Sequence, residues 1–199
     1  MRQPTIPIAP GQTDPADDAD IRHLTRCIEL AREAVANGSA PIGCVIVDRN
    51  GRLLAEGRNR AHEPWPKTRG IADSSFAHAE MDAFYRVGRL DDAPGATLYS
   101  SLEPCLMCGG AAGLIELGRV VWACDDPWGG SGRLIQWNGH PAYAHTRVTP
   151  HPSQRLEAEA ARLFALEVLR VFPPQGLAAW RERYPDAMQA AERESGSTS

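Results

Sequence analysis

Apolar residues recur at helical spacing early in the chain, at Ile21, Leu24, Cys27, Ile28, Ala31 and Val35, and Asn37-Gly38 follows them. This pattern predicts a helix over 18–36. Residues 41–48 (PIGCVIVD) form a short, almost wholly apolar run, which predicts a buried strand. Asn50-Gly51 is a hairpin signal, and 53–59 reads as the returning strand. A loop holding Pro64, Trp65 and Pro66 occupies 60–75. Next come a helix over 77–86 stopped by Gly88, a strand over 96–101 (ATLYSS), and a helix over 105–117 stopped by Gly118. A buried strand (RVVWA, 119–123) and a Gly-rich loop (125–132) follow. An amphipathic helix is predicted over 153–172, closed by Pro173-Pro174, and a short last helix over 175–188. Helix, strand, strand, helix, strand, helix, strand, helix predicts an α/β sandwich with a mixed sheet. The first two strands pair antiparallel, and the later ones run parallel through right-handed crossovers.

Composition narrows the class. The chain has 199 residues, 43% of them hydrophobic and 23% charged, as expected of a globular protein with a full core. With 21 basic and 25 acidic residues the net charge is −4, so the whole chain exerts no electrostatic pull on nucleic acid. The expected partner is a small heterocyclic substrate, with no nucleic acid and no membrane. No apolar run reaches membrane-spanning length, and the first twenty residues lack the apolar core of a secretory signal, which points to a cytoplasmic protein. Residues 1–17 are expected as a loose tail, 18–172 as the main domain, and 173–199 as a helical segment with a Ser/Gly tail.

Chemistry concentrates in two short motifs. HAE places His78 and Glu80 at the start of one predicted helix, and PCLMC places Cys105 and Cys108 at the start of another. Cysteines at i and i+3 share a helix face, and Pro104 suits a helix start. One imidazole and two thiolates make a three-ligand zinc site whose fourth position stays open for water, the arrangement of a catalytic site. Zinc lowers the pKa of bound water from 15.7 to about 7, and helix N-termini favour thiolate. Glu80, beside that water, suits proton transfer and not ligation. Removing an exocyclic amine from a heterocycle needs a ring nitrogen protonated and the amine protonated as it leaves, and one carboxylate can serve both.

H-x-E followed by P-C-x-x-C is the signature of zinc deaminases. With PIGCVIVD, GRN at 57–59, FAHAEMDAF and TLYSSLEPCLMCGGAAGLIELGRVVWACDD, the chain resembles the cytidine/deoxycytidylate deaminase superfamily over about 18–126. Within it, the resemblance is to the branch of guanine deaminases, fungal-type cytosine deaminases and bacterial tRNA adenosine deaminases. The resemblance implies a three-layer α/β/α fold with a mixed five-stranded sheet and a dimer. It also implies that Asn59 hydrogen-bonds the base, and that backbone around Ala79 and from Ser101 to Glu103 frames the ring. Two departures touch the pocket: a longer loop between Asn59 and His78, and DDPWGGSGRL after the fourth strand. No match extends past about Trp137.

Other readings stand beside these. C-x-x-C alone suits a redox pair, and a structural zinc site would need a fourth ligand. Cys27, Cys44 and Cys124 lie in apolar runs and read as inert core thiols. Trp65 and Trp128 fall in loops near the motifs and suit stacking on a flat base, against ordinary packing. The leading function is hydrolytic deamination of a guanine- or cytosine-like small molecule. The alternatives are a tRNA adenosine deaminase and a non-catalytic module that keeps the fold.

Overall fold

The computed structural model describes residues 18–65, 70–132 and 145–196. The expected N-terminal tail, part of the long loop and the last residues lie outside that set.

Helix α1 (Asp18–Ala36) begins with Asp18 and Asp20 in its first turn and buries Leu24, Cys27, Ile28 and Ala31 of the predicted stripe, with Ala34 in place of Val35, which is exposed at the last turn. Strands β1 (Gly43–Val47) and β2 (Leu53–Arg58) form the antiparallel hairpin, which turns through Gly51 at φ 76°. Strand β1 is buried along its whole length because it pairs on both sides and its alternate residues pack into the apolar layers on both faces, Val45 and Val47 on one and Cys44 and Ile46 on the other. Helix α2 (Ala79–Val87) is followed by β3 (Thr97–Leu102), helix α3 (Leu106–Leu114) and β4 (Arg119–Cys124). The sheet order is β2-β1-β3-β4-β5; β3 runs antiparallel to β1, and β3, β4 and β5 run parallel.

The fifth strand, β5 (Arg147–Pro150), is absent from the hydrophobic pattern although the resemblance implied it. It has four residues, none buried, and ends in a proline, which a sheet edge tolerates. The C-terminal region also differs from the pattern. Helix α4 (Gln154–Val171) is as predicted, but two helices follow where one was expected: α5 (Pro174–Arg183) and α6 (Pro185–Gly196). Pro185 has no amide hydrogen to continue α5, and it starts α6 instead.

Two apolar clusters build the three layers. On one face Leu24, Ile28, Val45, Tyr99 and Val121 pack with Leu156, Phe164 and Val168 of α4 and with Trp180 and Met188 of α5 and α6. On the other, Cys44, Ile46, Leu98, Val120 and Trp122 pack with Ala79 and Ala83 of α2 and Ala112 of α3. The architecture is therefore the predicted three-layer α/β/α sandwich with a mixed five-stranded sheet. A part-buried ion pair adds a staple: Asp20 accepts two hydrogen bonds of 2.8 Å from Arg119 and one of 2.7 Å from the Tyr99 hydroxyl. Among the described residues, no helix is long and apolar enough to cross a membrane.

Candidate metal centre and active site

Helices α2 and α3 both start at the same end of the sheet, and each starts on a ligand-type residue. His78 is the N-cap of α2 and Cys105 the N-cap of α3, and neither side chain caps its own helix. Their side chains are thus free to point elsewhere, and they meet. Cys105 Sγ lies 3.5 Å from His78 Nδ1, Cys108 Sγ lies 3.6 Å from it, and the sulfurs are 3.6 Å apart. Zinc with bonds of about 2.3 Å to sulfur and about 2.0 Å to nitrogen, at tetrahedral angles, separates sulfur from nitrogen by roughly 3.6 Å and the sulfurs by roughly 3.8 Å. The three atoms form one face of a zinc tetrahedron. Among the described residues no fourth His, Cys, Asp or Glu joins the group, which leaves one vertex open.

The electrostatics are those of a cation site. Cys105 is pushed down to about 4, first by its hydrogen bond with Cys108 and then by His78. Cys108 is pushed up by that same bond and by burial, so the pair shares one proton when no cation is present. His78 is raised, chiefly by its contact with Cys105. Cys27, Cys44 and Cys124 are fully buried, and burial raises all three thiols, as expected of inert core cysteines.

Glu80 sits in the first turn of α2 and is 3% exposed. Burial raises its pKa above the usual carboxylate range. Its Oε1 accepts a hydrogen bond of 2.9 Å from the Ser100 hydroxyl. Ser100 was not singled out from the sequence; the resemblance named only the neighbouring backbone from Ser101 to Glu103, for framing the ring. The strand period holds the signal: Ser100 pairs with Cys44 and Trp122, which belong to the cluster that packs on α2 and α3. Ser101 is buried, and its hydroxyl accepts the Gly43 amide at 3.1 Å.

Asn59 is buried at the end of β2, where its Oδ1 accepts the Ala61 amide at 3.1 Å. Its neighbour Arg60 donates its amide to the carbonyl of Ala77, which ties this end of the hairpin to the segment just before His78. Ala79 is buried against β2, because Gly57 has no side chain to hold α2 away. Glu103 Oε2 accepts the Asp126 amide at 3.2 Å, and Gly130 lies against it. Trp128 is 49% exposed, two residues before Gly130, which bridges to Cys105. Phe76, two residues before His78, is 67% exposed and was not singled out from the sequence.

Residues 17–124 match the family model described as the cytidine and deoxycytidylate deaminase zinc-binding region. The chain belongs to this deaminase family. It is accordingly a hydrolytic enzyme, and zinc is its metal. The deaminase is 41% identical over 123 residues to a tRNA-specific adenosine deaminase of Bacillus subtilis, covering 58% of this chain and 69% of that one. It is 31% identical over 126 residues to tRNA-specific adenosine deaminase 2 of Xenopus laevis, covering 58% and 67%. A solved structure from a study of A-to-I editing by tRNA:A34 deaminases superposes with a TM-score of 0.58 at 28% identity, covering 72% of this chain and 99% of that one. The expectation of no nucleic-acid partner is thereby overturned, since these relatives are named for tRNA. The error has a physical cause: a net charge of −4 averages the whole surface and says nothing about a local one.

Proposed function

We propose that this deaminase converts adenosine to inosine in a tRNA, with water as co-substrate and ammonia as product. One observation carries the reading: the 41% identity to the Bacillus tRNA-specific adenosine deaminase. His78, Cys105 and Cys108 would hold the zinc, which when bound would supply the Lewis acidity that makes water a nucleophile near neutral pH. Glu80 is the proton carrier. Burial raises its pKa toward the working range, and Ser100 fixes its carboxyl group. It takes the first proton from the attacking water and delivers it to the ring nitrogen beside the amino-bearing carbon; it then takes the remaining proton from the new hydroxyl on that carbon and passes it to the amino nitrogen, so that the C–N bond breaks, ammonia leaves and the carbonyl forms. Asn59 uses its Oδ1 on the chain and keeps its amide nitrogen as a donor to the base. Backbone at Ala79 and from Ser101 to Glu103 frames the ring. A target base inside a polynucleotide reaches such a pocket only when flipped out or single-stranded, as in an anticodon loop.

The test is inosine formation in an anticodon stem-loop RNA bearing the target adenosine, with zinc-loaded protein. Inosine is expected. An inert RNA combined with ammonia release from free aminopurines or aminopyrimidines would overturn the reading in favour of a small-molecule aminohydrolase. A specific feature favours that second reading: Arg58 and Arg60, on either side of Asn59, both pair with the buried Glu63 and so offer less charge to phosphate.

A further inference from the structure

The family match ends at residue 124, where the chain leaves β4. The next two residues are aspartates, and both are fastened to α5, a helix outside that match. The Asp125 amide donates to the Tyr184 hydroxyl at 2.7 Å, and its carboxylate accepts from Arg183 at 3.2 Å. Asp126 Oδ1 accepts from Trp180 Nε1 at 3.2 Å. Trp180 is fully buried among Phe164, Phe172 and Tyr184, with ring centroids 5.3, 6.5 and 5.2 Å away. Its N–H therefore points in a direction set by the core and is not adjustable.

From Asp126 the connection runs straight to the metal group. The same Oδ1 accepts the Trp128 amide at 3.0 Å, and the Asp126 carbonyl accepts the Gly130 amide at 3.0 Å. Gly130 bridges to Cys105, and the Ser131 amide donates to the Pro104 carbonyl at 2.9 Å. Glu103 holds the Asp126 amide from the other side. Trp128 itself is seated on α5: a side chain at Gly176 would stand 3.1 Å from its indole Cγ, yet half of the residue stays exposed.

We propose that Trp180 is a positioning residue for substrate binding, acting through Asp126 to hold the 126–131 turn so that Trp128 is presented at the mouth of the site for stacking on the substrate. The C-terminal helix α5 is thus a working part of the pocket. Neither Trp180 nor Asp126 touches the reacting atoms, so the effect falls on binding and leaves the proton transfers and the zinc in place.

The proposal rests on the deaminase reading but not on which substrate is used, and the experiment keeps the two apart. Trp180→Phe retains the aromatic packing and removes the N–H. With zinc-loaded protein, on whichever of stem-loop RNA or free aminopurine the wild type turns over, KM should rise roughly fivefold while kcat and zinc content hold. Trp128→Ala should raise KM by at least about fivefold. In the Trp128→Ala background, Trp180→Phe should add less than about twofold, since both act through one contact. Amide exchange supplies a substrate-free reading: residues 126–131 should exchange faster in Trp180→Phe and in Asp126→Ala, which leaves the aromatic core intact, while the first turns of α2 and α3 do not change. A wild type inert on RNA counts against the tRNA reading alone. Effects on KM that multiply independently, unchanged exchange at 126–131, a fall in zinc content, or global unfolding of both variants would each overturn the brace.

Discussion

Gly57→Ala concentrates the structural reasoning into one methyl group. A Cβ at position 57 would stand 2.2 Å from the Ala79 carbonyl oxygen and 2.5 Å from the Ala83 nitrogen, where ordinary contact begins near 3.4 Å. Both neighbours are backbone of α2, so no side chain can rotate away, and relief requires moving the helix by about 1 Å. That helix carries Glu80 in its first turn and begins on His78. The sulfur–nitrogen separations of 3.5 and 3.6 Å fit zinc, and metal bonds tolerate only about 0.2 Å of error. Overpacking of this kind costs about 1–3 kcal/mol, and two backbone contacts place this case at the upper end. For a chain of this size the melting temperature should fall by roughly 6–12 °C. Zinc affinity, measured by competition with a chromogenic chelator, should fall on the order of 10- to 100-fold. Gly110→Ala in α3 is the internal control: a Cβ there meets nothing within 4 Å, so the same chemical change should stabilise by about 0.5–1 kcal/mol. If Gly57→Ala binds zinc like wild type and melts within about 2 °C of it, the close approach of β2 does not set the position of α2, and the reasoning fails.

Glu80→Gln should keep one zinc per chain and lose turnover by about 10²- to 10⁴-fold; activity within tenfold of wild type would remove Glu80 as the proton carrier. Stripping zinc with a chelator should abolish activity and lower the melting temperature, and both should return on titrating zinc, because only the folded chain assembles His78, Cys105 and Cys108. His23 has a buried Nε2 with no hydrogen-bond partner among the described residues, and a pKa held below 6.5 by burial and by Arg22. Its depressed pKa means that the unfolded chain binds the proton more readily, so this contribution to stability is full above pH 6.5 and is lost as pH falls toward the folded value. Denaturant titrations from pH 7.5 to 5 should show a steeper loss in wild type than in His23→Phe; parallel curves would refute it.

The local pattern carried most of the secondary structure, because each element satisfies its own hydrophobic period. Helix α1 shows this in Leu24, Cys27, Ile28 and Ala31, and the hairpin shows it in a buried run, an Asn-Gly turn and a return. The metal group was equally legible, since H-x-E and P-C-x-x-C each fix their members within one helical turn. Strand β5 was not legible, because its pairing energy comes from the edge of β4 and not from its own apolar residues. Ser100 was not legible, because which face of a strand meets α2 is decided by register across three strands. Glu103 stands beside the cysteines in sequence, yet it spends its carboxylate on the Asp126 amide, a partner 23 positions along the chain.

The amino-acid order by itself singled out the side chains that could grip zinc and the carboxylate proposed to move a proton, for those properties belong to side-chain chemistry and to spacing within a turn. Tertiary structure alone decided that the starts of α2 and α3 face each other, that Ser100 fixes Glu80, and that Trp180 reaches Asp126 across 54 positions. Those contacts join segments far apart in the chain, and they exist only once the sheet has set the helices side by side and burial has removed the water that would otherwise compete for each hydrogen bond.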